Sequence, residues 1–354
     1  MTTCGPFAHT MLTAALAALF TATGAAHAGP VMERVMQQGE VRCGVDLTPG
    51  FSSVDADGNA RGFEVDVCRA VAAAVLGTPD AVSIRRVNTA NKFNALTIGD
   101  IDIAFGMTTW TYTRDTGMGV VFPVVLYYDG QGFMAWAGKT ADKTPGADSA
   151  TPWKNAPPGT RVCVQRGTTS EANLTAAVQA GHAPVDMVLT TSSEEKFIAF
   201  AQRQCTLVTG DRSELAARAA TMPAERRQWR ILPDVISREP LGPAVAQNDP
   251  LWFSVVRWTV LSMIVAEAKG VTSANVAGLA TSPDPEIRRL AGGDPAFGKP
   301  LGLDSQWGLR VISLIGNYGE VFQRNLGSGS PLGMERGPNA LWTDGGLQYA
   351  PPLK

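Results

Sequence analysis

Short apolar runs alternate along this chain with stretches of helical period. Val41-Arg42-Cys43-Gly44-Val45 reads as a strand, and Phe51-Ser52-Ser53-Val54 with Asp57-Gly58 reads as a hairpin closed by a tight turn. From Glu64 to Leu76 the apolar residues Val65, Cys68, Val71, Ala72 and Val75 recur at helical spacing, until Gly77 and Pro79 stop the pattern. A strand near Val82 to Val87, a short helix through Phe93 to Ile98 and a buried strand Ile101 to Phe105 continue a βαβα rhythm that implies parallel pairing. This predicts a first α/β domain.

Tyr127 to Trp136 is extended, and Lys139 to Pro157, rich in Lys, Pro, Asp, Ser and Ala, marks a crossing into a second domain of the same kind. Its elements are a strand Val162 to Gln165, helices Thr169 to Ala180 and Glu194 to Arg203, and a strand Cys205 to Thr209. Val235 to Val245 reads as the return crossing. Residues 29–133 and 236–354 therefore form one lobe and 134–235 the other. The long apolar pattern Trp252 to Ala268 is interrupted by Arg257 and Glu267 and ended by Gly270, which suits a packing helix better than a membrane span. Further helices are expected at Asn275 to Leu279, Pro285 to Ala291 and Ser305 to Asn325, before a Gly/Pro-rich tail.

The apolar run Met11 to Ala26 followed by Ala26-His27-Ala28 fits a signal peptide spanning residues 1–28, hence export. A formal net charge of -2 without any basic block gives no reason to expect nucleic acid or an anionic membrane as partner. Four cysteines remain after cleavage: Cys43, Cys68, Cys163 and Cys205. In an exported chain these favour disulfides. Three pairings are possible; Cys43 with Cys68 and Cys163 with Cys205, one per domain, is the favoured one. His182 is the single histidine after residue 28, which removes His-based metal sites and Ser-His-Asp catalysis, and no cofactor motif is found.

Three stretches carry chemistry suited to a free amino acid. Thr109 and Thr111 with Arg114 follow the Ile101 to Phe105 strand, where α/β sheets place ligands; Gly167-Thr168-Thr169 opens a helix; Asp211 ends another strand. Hydroxyls, helix N-terminal N–H groups and a guanidinium suit an α-carboxylate, and the aspartate suits an α-ammonium. Singly, each has a plainer reading: Arg114 paired with Asp115, and helix caps at Thr169 and Asp211. Their joint occurrence on two similar domains points to a zwitterion. Phe51 and Trp110, in loops at strand ends, are candidates to stack on the ligand's side chain.

Longer runs carry a resemblance: Phe63 to Ala74, Thr108-Thr109-Trp110-Thr111-Tyr112-Thr113-Arg114-Asp115-Thr116, Tyr127 to Phe133, Arg238-Glu239-Pro240-Leu241-Gly242-Pro243-Ala244-Val245, Gly316 to Phe322, and Gly346 to Pro352. In this order, over nearly the whole chain, they resemble the periplasmic amino-acid-binding proteins of ABC transporters, in the general L-amino-acid-binding branch of solute-binding protein family 3. The resemblance implies an α/β, two-lobed, periplasmic-binding-protein-like (type II) fold with two interlobe crossings. It implies that Thr109, Thr111, Arg114, Thr168 and Thr169 hold the α-carboxylate and Asp211 the ammonium. It further implies a monomer that hands free L-amino acids to an ABC permease, with no cofactor and no catalysis. Phe105-Gly106-Met107 stand where that branch carries Ser-Arg-Asn, which leaves the preferred side chain open. The rival reading, a periplasmic dehydratase on the same scaffold, needs a carboxylic acid in the cleft, with Glu171 and Asp115 as its candidates.

Overall fold

Two sheets, each with its own apolar core, organise the chain. A computed structural model describes residues 1–2, 29–55, 57–136, 153–181, 184–221 and 229–354, so the expected signal peptide falls outside the described residues apart from its first two positions. The first sheet has three parallel strands in the order Val82–Arg86, Val41–Val45, Ile103–Ala104, and the helix Phe63–Leu76 packs on it. All five residues of its central strand are buried, as a parallel strand covered on both faces requires. The second sheet has five strands in the order Val185–Thr190, Thr160–Gln165, Leu207–Asp211, Gln131–Trp136, Trp229–Ile231. The first three of these are parallel, and Gln131–Trp136 runs antiparallel to both neighbours.

The chain enters the second sheet directly after Tyr127–Asp129 and returns through Glu239–Leu241. These two strands pair antiparallel, with Glu239 opposite Asp129 and Leu241 opposite Tyr127. The C-terminal tail packs against this crossing. Asn339 brackets Tyr128, accepting from its N–H at 2.6 Å and donating to its carbonyl at 3.0 Å, while Tyr318 Oη and Gln348 Nε2 both donate to the Leu126 carbonyl. A Gly/Pro-rich tail can thus be a fixed part of the fold when its few polar side chains satisfy buried backbone.

Both favoured disulfides are present, Cys43–Cys68 and Cys163–Cys205, with Cα separations of 6.4 and 5.7 Å. Each closes a loop worth roughly 3–4 kcal/mol in the chain-entropy model. The apolar helix is Pro250–Ala268, and it lies inside the fold, with Trp252, Val255, Val256 and Val260 at 0% exposure. Asp249 accepts from Trp252 N at this helix's start and from Val31 N and Met32 N at the start of the helix Pro30–Gln38, so one carboxylate serves two helix ends.

The expected helix Ser305 to Asn325 is instead two, Trp307–Leu314 and Tyr318–Asn325. Gly316 sits at φ 102° between them, and Asn317 with Glu320 forms a capping box that starts the second. The strand Val185–Thr190 and the helix Tyr112–Gly117 were not apparent from periodicity. The helix is six residues of mostly polar character, and the strand's apolar residues Val185, Met187, Val188 and Leu189 do not alternate strictly with polar ones, so neither sets a clear period.

Candidate functional site

Between the two sheets lies a cavity of about 60 Å³, enough for several water molecules by the usual measure. On the first sheet's side its wall is the loop after Ile103–Ala104. Gly106 takes φ 85°, where a side chain would press on Asp46, and Met107 takes φ 47°, uncommon for a residue with a Cβ. The buried Glu64 carboxylate holds this turn by accepting from the N–H groups of Gly106 and Met107 and from Ser52 Oγ. Burial raises the Glu64 pKa, against these hydrogen bonds.

The turn delivers Thr109 and Arg114. Arg114 is 8% exposed; its guanidinium donates to the Thr109 carbonyl at 2.8 Å and lies 5.5 Å from the Phe93 ring centre. It makes no ion pair among the described residues, and Asp115, its expected neighbourly partner, accepts from Phe122 N instead. Burial pulls its pKa down, with Glu239 and Asp211 opposing. Opposite it the helix Thr169–Gln179 begins. Thr168 caps it, accepting from Glu171 N and donating to the Gln165 carbonyl, and Glu171 accepts from Gly167 N. The N–H groups of Thr169 and Ser170 have no protein acceptor among the described residues. With the guanidinium they form an anion-binding corner.

Asp211 closes the strand Leu207–Asp211 opposite Gln131. It does not cap the helix that follows: Ser213 N donates to Asp129, on the incoming crossing strand, at 3.1 Å, and Ser213 Oγ donates to the same oxygen. No donor among the described residues reaches the Asp211 carboxylate. Burial lifts its pKa well above the ordinary carboxylate value, and Asp129, Glu239 and Glu214 lift it further against Lys196. Asp129 itself is pushed up to about 6 by burial, with Ser213 and Gly130 N–H opposing. An unpaired guanidinium and an unpaired carboxylate on one cavity match the two ends of a zwitterion.

The rest of the lining is polar on both sides. Lys92 Nζ donates to Thr108 Oγ1 and the Gly106 carbonyl, and burial, then Arg114, lowers its pKa to about 8. Asp46 faces the same space, its pKa raised by burial and held down in part by Lys92. Lys196 and Glu214 pair at 2.8 Å; burial alone would raise the Glu214 pKa, but the ion pair overrides it and the net direction is down. Met107 and Ser193 also line the cavity.

Of the residues expected from the sequence, Thr109, Arg114, Thr168, Thr169 and Asp211 line the cavity. Three do not. Phe51 is 1% exposed and packs edge-on against Phe63 and Tyr127 in the first core. Trp110 stacks on Phe122. Thr111 caps the helix Tyr112–Gly117 by accepting from Arg114 N, and so positions the arginine from outside the cavity. Both rings are drawn away because an apolar neighbour lies behind the loop, whereas the cavity wall is polar. Lys92, Asp46, Glu214 and Lys196 were not singled out in sequence; each lies within an otherwise ordinary element, and only the fold turns them to one space.

The chain matches the family model described as bacterial extracellular solute-binding proteins, family 3, over residues 41–263. It is 42% identical over 351 residues to the general L-amino acid-binding periplasmic protein AapJ of Rhizobium johnstonii, covering 97% of this chain and 99% of the relative. It is likewise 42% identical over 346 residues to the glutamate/glutamine/aspartate/asparagine-binding protein BztA of Rhodobacter capsulatus, covering 96% and 97%. A periplasmic binding protein of an ABC transporter from Brucella ovis, solved with glutathione bound, superposes with a TM-score of 0.84 at 40% identity, over 91% of this chain and 99% of that one. The two-sheet architecture with its double crossing, the charges facing one cavity between the sheets and these matches agree, and the chain belongs to the family 3 extracellular solute-binding proteins.

Proposed function

We propose that this protein is a periplasmic receptor, exported by the signal peptide at residues 1–28, that captures free L-amino acids between two lobes and presents them to an ABC permease. The lobes are residues 29–133 with 236–354, and residues 134–235. It acts as a monomer. The observation that carries this is that Arg114, with no ion pair among the described residues, and Asp211, with no ion pair or hydrogen-bond donor among them, line one cavity. Arg114 with the N–H groups of Thr169 and Ser170 takes the α-carboxylate, Asp211 takes the α-ammonium, and Lys92, Asp46, Lys196 and Glu214 take a polar side chain. Closure follows from contact with both lobes, which favours the closed population. The two carboxyls named for the dehydratase reading, Glu171 and Asp115, are held by backbone N–H groups and line no part of the cavity, and the relatives at 42% identity are amino-acid-binding proteins, which supports the receptor reading over it.

A thermal-shift screen of the protein against the twenty L-amino acids, their D-forms, prephenate and glutathione tests this. A ligand that binds only the native state at a hundredfold excess over Kd adds about 2.7 kcal/mol of stability. Shifts with L-amino acids of polar side chain are expected. A response to prephenate with none to any α-amino acid would overturn the reading, and a response to glutathione alone would extend the site to a peptide that ends in an α-amino acid.

The raised carboxyls add a pH dependence with a definite sign. Asp129 stands at about 6 against an ordinary 3.8, and Asp211 is raised in the same direction. Their contribution to stability is fully present below the ordinary carboxylate value and is lost as pH rises through the raised values. A ligand ammonium pairs with the ionised form of Asp211, so binding releases protons in this range. The ligand-induced thermal shift is therefore expected to be larger at pH 7 than at pH 5. Equal shifts at both would remove Asp211 as the ammonium's partner.

A further inference from the structure

Glu239 lies beside the cavity rather than in it. It is 2% exposed, on the returning crossing strand Glu239–Leu241. Its Oε2 accepts from Thr109 Oγ1 at 2.7 Å and from Thr169 Oγ1 at 3.0 Å, and its Oε1 accepts from Asn173 Nδ2 at 2.9 Å and from Ser237 Oγ. Thr109 follows the first sheet's strand Ile103–Ala104, whereas Thr169 and Asn173 stand on the helix that packs against the second sheet. Asn173 also donates to Gln131 Oε1, and Gln131 Nε2 donates to Thr209 Oγ1 and the Ser170 carbonyl, so the network is anchored in the second sheet itself.

Two things follow from this placement. A hydroxyl has one proton, so Thr109 and Thr169, each donating to Glu239, turn only lone pairs toward the cavity. They cannot at the same time donate to a ligand carboxylate, which falls to Arg114 and the helix N–H groups, while their lone pairs suit an ammonium. Secondly, one buried carboxylate joins both sides of the cavity through bonds between protein groups alone. Hydrogen bonds to a charged acceptor out of solvent are the stronger kind. Among the described residues, other contacts across the opening are single bonds: Arg218 Nη2 to the Leu47 carbonyl at 3.0 Å, Thr109 Oγ1 to Thr169 Oγ1 at 3.3 Å, Gln165 Nε2 to Thr89 Oγ1 at 3.5 Å and the exposed Arg86–Glu194 pair at 3.9 Å, whereas Glu239 gathers donors from both lobes on one buried carboxylate.

We infer that Glu239 is a built-in latch, a positioning residue that draws the two lobes together independently of ligand and fixes the proton direction of the Thr109 and Thr169 hydroxyls. The inference rests on the two-lobed receptor reading. By favouring the closed form it raises the fraction of molecules competent to retain ligand, and apparent affinity scales with that fraction.

Small-angle scattering of the full mature protein, of Glu239→Ala and of Asn173→Ala, each without ligand and with a large excess of L-glutamine, tests it. Without ligand, Glu239→Ala is expected to have a larger radius of gyration than the wild type, with Asn173→Ala between them. With ligand all three are expected to converge, and L-glutamine binding to Glu239→Ala is expected to weaken on the order of tenfold. Identical ligand-free scattering of the wild type and Glu239→Ala would overturn the latch. If L-glutamine and every other amino acid fail to bind the wild type, the receptor reading falls, yet the ligand-free comparison still decides the latch. Should Glu239→Ala not fold, Asn173→Ala, which removes one of the four bonds, decides it by the same comparison.

Discussion

Asp211→Asn is expected to remove amino-acid binding while leaving the ligand-free protein at least as stable as the wild type. The substitution keeps the shape of the side chain and removes its charge. In the ligand-free protein that charge is unfavourable, since the carboxylate is out of water, receives no hydrogen bond from the described residues, and stands near Asp129, Glu239 and Glu214. Its neighbours do not depend on it, because the helix that follows is capped by Asp129. In the complex the same charge is the ammonium's counter-ion. Truncating one partner of a buried, hydrogen-bonded charge pair costs about 3–5 kcal/mol, roughly two to four orders of magnitude in Kd. Calorimetric titration with L-glutamine and L-glutamate and thermal unfolding without ligand measure the two halves of this expectation. A loss of binding together with a comparable loss of ligand-free stability would make Asp211 a structural residue, and binding kept within a few-fold would end its assignment to the ammonium. The opposite signs follow from the electrostatics: a group kept for a ligand is held in a place that the fold alone would not choose.

The residues legible in the sequence share a feature that the structure explains. Thr109, Thr169 and Asp211 each come directly after a strand or its turn, and in α/β sheets the carboxyl ends of strands face one crevice. Position along the chain therefore stood in for position in space. Phe51 and Trp110 satisfied the same rule and still turned away, because strand ends fix where a loop begins and not which way its side chains point. Glu239 was visible only as part of a matching run, since nothing local marks it. Its partners Thr109 and Asn173 are 130 and 66 residues away, so its role exists only after two crossings bring three segments together. The same holds for Asp129, read in sequence as part of an extended crossing, which in the fold caps a helix 84 residues further on. The parallel pairing of the first sheet followed from local βαβα rhythm, whereas the break at Gly316 depended on a capping box that helical periodicity does not register.

Arg114→Ala is expected to cost about 2–4 kcal/mol of binding, by leaving the ligand carboxylate with only helix N–H donors in a buried corner. Size of loss alone does not separate a ligand contact from damage to the Thr109 loop, because Arg114 Nη1 also donates to the Thr109 carbonyl. The α-amide of L-glutamine separates them. It keeps the ammonium and the side chain and lacks the α-carboxylate, so the wild type should bind it far more weakly than L-glutamine. Arg114→Ala should bind the two with nearly equal weakness, since the group that tells them apart is gone from one side of the cycle or the other. If the variant still favours L-glutamine over its amide by the wild-type factor, the carboxylate is held elsewhere and Arg114 serves the loop. Arg114→Lys should recover only part of the discrimination. An ammonium supplies the charge, but not the planar fork that can donate to Thr109 and to a carboxylate at once while lying near the Phe93 ring. A full recovery would mean that net charge at this corner is sufficient, and that the buried geometry of the guanidinium contributes nothing to recognition.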